Sequence, residues 1–140
     1  MKHRLWTVGL GVYVAVYVVG AAAWLYFALF NPGVVASSAD TSFVPFVPWL
    51  FHNVIGTAPT AWALMVAIGE LGLAVLLMTR RYRVAGLLLA TLWQVFGAGI
   101  ADGWPLGVIN LILAAGQLAL LFHYRRDSAI AVPRLRHRTA

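Results

Sequence analysis

Four long apolar runs share a single formal charge, and nothing else in this chain constrains its fold as strongly. The runs are Leu5 to Phe30, Thr60 to Thr79, Val84 to Ala101 and Leu106 to Phe122, and the charge is Glu70. A helix needs about 20 residues to cross roughly 30 Å of hydrocarbon. Backbone groups in lipid must be satisfied within their own segment, so these runs read as helices. The first is long enough to tilt or to project into the interface. The third and fourth are slightly short, but charged or turn residues bracket them. Hydrophobic types make up 62% of the 140 residues and charged types only 10%, against about 25% charged in a soluble domain. So few charges cannot cover a water-facing surface. The expected fold is an all-α membrane protein, a four-transmembrane-helix bundle in a single domain.

The charges outside the runs give the bundle a direction. Lys2 and Arg4 precede the first run, and Arg80, Arg81 and Arg83 fill the turn between the second and third. Arg125, Arg126, Arg134, Arg136 and Arg138 follow the fourth. These are all ten lysines and arginines; the opposite side carries Asp40, His52 and Asp102. This positive-inside distribution predicts an N-in/C-in, multi-pass protein of a bacterial or archaeal cytoplasmic membrane. The net charge of +6 is therefore a topology signal, with attraction to anionic membrane lipids as its by-product. It does not point to nucleic acid. The opening Lys2-His3-Arg4, followed by an apolar run and Ala21-Ala22-Ala23, also resembles a secretory signal peptide. Against this, the run continues through Trp24 to Phe30, and the segment reads as the first span.

The connections fit the same picture. Arg80-Arg81-Tyr82-Arg83 is a tight inner turn and Asp102-Gly103-Trp104-Pro105 a tight outer one. Pro105 suits a first helical turn, and Asp102 favours the positive end of the fourth span. The long outer connection, 31–59, divides into a polar loop, Asn31 to Ser42, and the aromatic stretch Phe43 to Ile55. That stretch is too apolar for free solvent, while Pro45 and Pro48 keep it from being a span. It reads as an interfacial or re-entrant cap between helices 1 and 2, with a short helix starting near Pro48. The basic tail, Tyr124 to Ala140, is expected to be mobile unless a partner holds it.

Glu70 is the leading candidate for chemistry. It sits near the middle of the second span, beside Gly69 and Gly72, with Ala67 and Ala74 on its own face. A carboxylate at that depth costs about 2.5–3.5 kcal/mol on insertion scales for the comparable aspartate, so Glu70 should face the bundle interior. It is either a proton relay or hydrogen-bond partner for a polar ligand, or a neutral glutamic acid holding helices together. Each other span supplies a polar or aromatic counterpart. The first carries a stripe of Trp6, Gly9 or Leu10, Tyr13, Tyr17, Gly20 and Trp24 on one face. The third carries Gln94 with Ala90, Gly97 and Ala98 alongside. The fourth carries Asn110 and Gln117 with Gly107 and Ala114. Polar groups at similar depth beside small residues suggest a buried polar layer, in which Tyr17, Gln94, Asn110 and Gln117 could hold a ligand. Equally, they could be packing and interhelical hydrogen bonds worth about 0.6–2 kcal/mol each.

Other chemistries are poorly served. The chain has no cysteine, which removes disulfide exchange, thiolate metal sites and covalent c-type haem. His52 is outside, and His3, His123 and His137 lie at or beyond the inner edge, so no histidine is placed to ligate haem or metal at membrane depth. An outer cluster of Asp40, His52 and Asp102 could gate protons or bind a metal if the cap folds over the bundle. No nucleotide loop, nucleophile elbow or paired-carboxylate spacing occurs. No cofactor of the chain's own is expected.

From about Pro59 to Phe122 the sequence resembles the DoxX-like family of small four-span membrane proteins. The resemblance rests on Ala67-Ile68-Gly69-Glu70-Leu71-Gly72-Leu73-Ala74-Val75-Leu76-Leu77, an arginine-marked turn, and Ala85-Gly86-Leu87-Leu88-Leu89-Ala90. It implies a helper subunit near the quinone pool, with Glu70 at the family's glutamate position. The first span lacks the basic residue often found towards its end in that family, and the outer cap is longer than usual. Both departures weigh against a direct quinone-reducing activity.

Three functional readings follow. The first is a non-catalytic accessory subunit of a larger respiratory or quinone-linked complex, joined to other membrane subunits through its spans and basic tail. The second is a quinone-binding subunit in which Glu70 exchanges protons and Tyr17 or Gln94 orients the ring. The third is a small transporter using the polar layer as a midplane site, which without an internal repeat would require an oligomer.

Overall fold

The computed structural model describes residues 2–99 and 102–136. The expected end of the third span at Ala101 and the tail positions His137 and Arg138 fall outside the described residues. So do the side chains of Lys2, His3, Ala98 and residues 127–136. The structure is all-helical in class, with 83% helix and no strand among the described residues.

Helix α1 spans Lys2–Phe30, α2 Gly33–Ser37 and α3 Phe46–Asn53, followed by a 3-10 turn at Ile55–Thr57. Helix α4 spans Pro59–Met78 and α5 Arg83–Leu92. A π-helix, Trp93–Gly99, continues α5, and α6 covers Leu106–Arg136. Three helices are long and apolar enough to cross a membrane: Arg4–Phe30, Pro59–Met78 and Leu106–Arg126. The apolar stretch Arg83–Gly97 is shorter. Large apolar side chains such as Val8, Val19, Ile68, Val75, Phe96 and Ile112 point away from the protein. A surface this apolar belongs in lipid, and the chain is membrane-embedded.

Local chemistry explains the ends of α4. Pro59 occupies its first turn, where the missing N–H costs no helical hydrogen bond. At its other end the Thr79 hydroxyl donates to the Val75 carbonyl at 2.8 Å, and Arg83 Nε donates to the Leu77 carbonyl at 3.1 Å. These bonds satisfy carbonyls that a helix C-terminus leaves open.

Helix α1 pairs most extensively with α4, α5 and the π-helix lie on α6, and α4 also touches α5. Between them lies a core of Leu10, Tyr13, Tyr17, Ala74, Leu77, Leu87, Ala90, Leu120 and Leu121. The stripe on α1 is therefore a core-facing stripe over Leu10, Tyr13 and Tyr17. A second cluster, Ala28, Val35, Ile55 and Ala63, fixes the cap to the ends of α1 and α4.

One end of the molecule gathers basic and aromatic groups. Trp6 stacks on His123 at 4.4 Å, and the Arg83 guanidinium lies 5.0 Å from the Tyr124 ring centre. At the other end the Thr41 hydroxyl donates to the Asp102 carbonyl at 2.6 Å, tying the cap to the α6 turn. We call these the arginine end and the aspartate end.

The structure departs from the sequence-based expectations in four places. The stretch expected as a polar loop, Asn31 to Ser42, contains helix α2, because Val35 and Ala39 have a core to enter. The cap helix begins at Phe46 after Pro45 rather than near Pro48; Pro48 sits in its first turn, where proline is tolerated. The second half of the expected third span is π-helical. Finally, the α6 backbone stays helical through Arg136, well past Phe122, so much of the expected mobile tail is helix.

Candidate functional site

Glu70 projects from α4 into the interior and is 8% exposed. The space for it comes from α1, where Gly20 faces the carboxyl: a Cβ at Gly20 would lie 3.0 Å from Glu70 Cδ and overlap Oε2. Ala67 and Ala74, one turn to either side, are buried with it. Trp93, the first residue of the π-helix, brings its indole against the carboxyl as a hydrogen-bonding neighbour. Glu70 Oε2 is fully enclosed and has no hydrogen-bond partner among the described residues. A buried acceptor left open in this way costs about 1–3 kcal/mol.

Next to Glu70 a continuous chain of polar groups crosses the bundle. Gln117 Nε2 on α6 donates to Tyr17 Oη at 2.7 Å. The single Tyr17 proton has two acceptors in reach, the Ala90 carbonyl at 3.1 Å and Gln94 Oε1 at 3.2 Å. Gln94 Nε2 then donates to Asn110 Oδ1 at 2.6 Å, and Asn110 Nδ2 to Asp102 Oδ2 at 2.7 Å. The four residues expected to form a polar layer, Tyr17, Gln94, Asn110 and Gln117, thus come together in one network. Glu70 stands beside that network without bonding to it.

Two cavities meet at Glu70. The larger, about 450 Å³, is lined by Trp62, Met65, Val66, Gly69, Leu73, Leu89, Trp93 and Glu70. Its walls are apolar and aromatic, with Glu70 its one carboxyl, and its volume lies within the roughly 300–1,000 Å³ of small-molecule sites. The smaller, about 180 Å³, is lined by Tyr17, Gly20, Trp24, Glu70, Trp93, Gln94, Asp102, Asn110 and Val16. It is the more polar of the two, with Tyr17, Glu70, Gln94, Asp102 and Asn110 in its lining, and it is large enough for water. Only Glu70 and Trp93 line both.

Asp102 occupies a different role from the one expected for it. Its carboxylate turns inward to Asn110, while Asp40 and His52 pair with each other on the surface at 2.8 Å, both about half exposed. The outer cluster of Asp40, His52 and Asp102 does not assemble. No group of three metal-ligating side chains occurs among the described residues. Burial pushes the Asp102 carboxyl up to about 6, against the opposing effect of the Asn110 hydrogen bond.

Sequence reasoning missed Trp93, Trp62 and the inward aspect of Asp102. Trp93 carries a faint signal: it adjoins Gln94 and precedes Gly97 by four residues, which leaves room for an indole. Nothing in the sequence marks Trp62 or the turn of Asp102 towards Asn110. No protein family, curated protein or solved structure matches the chain.

Proposed function

We propose that this chain is a DoxX-like, four-span, N-in/C-in membrane subunit that binds a quinone-type ring in the apolar cavity beside Glu70. It belongs, in this reading, to a quinone-linked redox assembly of a bacterial or archaeal cytoplasmic membrane. The observation that carries the reading is a buried carboxylic side chain, Glu70, among the otherwise apolar and aromatic residues that line a cavity of about 450 Å³. A flat ring entering from lipid would lie among Trp62, Trp93 and Leu73, and a ring hydroxyl or carbonyl would meet the carboxyl. Glu70 then serves two ends at once, as a hydrogen-bond partner that fixes the ring and as a site where a proton is given or taken. The tight turn between α4 and α5, marked by Arg80, Arg81 and Arg83, supports placing the arginine end in the cytoplasm.

A second observation supports an accessory role within that assembly. The α6 backbone continues beyond its apolar part to Arg136, so the basic stretch of the sequence leaves the span as a helical extension, a form suited to an acidic partner subunit. Neither role requires the chain to turn over substrate alone.

Binding of a short-chain ubiquinone or menaquinone analogue to the protein in lipid nanodiscs, followed by quenching of tryptophan fluorescence, tests the reading. A hydrogen bond to a charged group is worth about 1.5–3 kcal/mol. Glu70→Leu should therefore weaken binding by about ten- to a hundredfold, and Glu70→Gln, which keeps a hydrogen-bonding group, by much less. Equal affinity in the parent and Glu70→Leu proteins would remove the carboxyl from the site and with it the proposal.

A further inference from the structure

The smaller cavity shares Glu70 and Trp93 with the apolar one, and its lining extends to Asp102 at the aspartate end of the molecule. We propose that it is a one-sided proton well, through which Glu70 exchanges protons with solvent at Asp102 while Glu70 and Trp93 close it off from the lipid-facing cavity. The inference rests on reading Glu70 as a proton-exchanging group, and it adds the route, the side and the terminal residue.

The geometry supports each part. Glu70 and Asp102 line the same cavity of about 180 Å³, which places the two carboxyls around one space large enough for water. Gln94 and Asn110 line it as well, and their amides act as fixed donors. An amide holds a water or a carboxylate in place but does not hand on its own proton at ordinary pH. Gln94 and Asn110 are therefore positioning residues, and Asn110 is the one that turns Asp102 inward. The titratable groups facing the cavity are Glu70 from α4, Tyr17 from α1 and Asp102 from the turn before α6. Helix α5, the π-helix and α6 present Trp93, Gln94 and Asn110 and no ionisable group. Among the described residues no lysine or arginine lines it, so no fixed positive charge holds either carboxyl ionised.

The transfer is a proton exchange only. As the Glu70 O–H bond breaks, its proton joins a cavity water, and that water passes another proton to the Asp102 carboxylate, which releases it to solvent; uptake runs in reverse. No electron moves. Asp102 suits the outer position because burial has already brought its carboxyl to about 6, near enough to neutrality to accept and release protons readily. Towards the arginine end, the core residues Tyr13, Leu77, Leu87 and Leu120 pack together in the interior.

Hydrogen–deuterium exchange at the Glu70 carboxyl, followed by infrared spectroscopy of the protein in proteoliposomes and assigned with Glu70→Gln, tests the route and needs no quinone. Asp102→Asn should slow that exchange by about a hundredfold, the lower range for loss of a positioned acid–base group. Asp40→Asn, in the surface pair, should leave it unchanged. Exchange as fast in Asp102→Asn as in the parent overturns the proposal, and it does so whether or not quinone binds. Since the chain has no native cysteine, thiol labelling provides an independent check should the aspartate variant fold poorly. A membrane-impermeant cationic thiol reagent added at the aspartate end should modify Asn110→Cys and spare Met65→Cys, which lies in the apolar cavity. Labelling of Asn110→Cys only from the arginine end, or not at all, overturns the assigned side.

Discussion

A carboxyl buried beside an amide couples its charge state to the stability of the fold, and Asp102 is where this can be read outside the spans. Burial lifts its pKa from an ordinary 3.8 to about 6 in the folded protein. Between those values the folded state binds more protons than the unfolded state, so stability falls as pH rises through the window. The contribution of Asp102 is thus most favourable below about pH 4 and is lost once pH exceeds about 6. Thermal unfolding in a mild detergent should show this as a difference between the parent and Asp102→Asn. The variant should be the more stable at pH 7, and the gap should close on acidification to pH 4. A gap independent of pH would mean that Asp102 titrates as an exposed aspartate. Gly20 shows the same economy on α1: the absence of one methyl group gives the Glu70 carboxyl the space it occupies.

At the scale of elements, the site gathers where α5 passes into the π-helix Trp93–Gly99. At that junction Trp93 meets Glu70 while Gln94 reaches Tyr17 and Asn110. Such segments are rare and concentrate at functional sites. Gly97 gives the indole its berth, since a Cβ there would come 2.7 Å from Trp93 Cε3. Gly97→Ala sets two effects against each other. Helix propensity favours alanine by about 1 kcal/mol, while crowding in a packed interior costs about 1–3 kcal/mol. The expected net is a small loss of stability together with a displaced indole, seen as a shift in tryptophan emission and weaker quinone quenching. Unchanged emission would show that Trp93 is held by something other than this contact. The π-helix also explains what the sequence could and could not disclose. Tyr17, Gln94, Asn110 and Gln117 were legible because a polar residue on an apolar run stands out, and small neighbours such as Ala90 and Ala114 mark the faces that approach. Glu70 was legible for the same reason. Trp93 was not, because an aromatic residue in an apolar run carries no mark of where it points, and composition does not announce a change of helical period. The inward turn of Asp102 depends on Asn110 and on the Thr41 tie from a cap some sixty residues earlier, which periodicity within one segment cannot express.

At the scale of the whole molecule, the two ends are built differently, and the packing at the arginine end sets where the chain can be cut. The arginine end locks α1, α5 and α6 together through Trp6 on His123 and Arg83 on Tyr124, and Leu120 and Leu121 of α6 enter the core just before that point. Removing everything from Tyr124 onward would therefore take away packing as well as the basic extension, and a lost partner could not be separated from a weakened fold. A cut after Arg126 spares these contacts. Removal of residues 127–140 keeps Trp6 on His123 and Arg83 on Tyr124, and it should leave quinone affinity and Glu70 exchange as they are. If the basic helix is the handle for a partner subunit, the same truncation should release the chain from its assembly. Native mass spectrometry after gentle extraction from its own membrane would then find the full chain in a larger complex and the shortened chain alone. Equal retention of both in one assembly would assign the contact to the lipid-facing surfaces of the spans, where side chains such as Ile68, Val75 and Ile112 offer apolar area without charge.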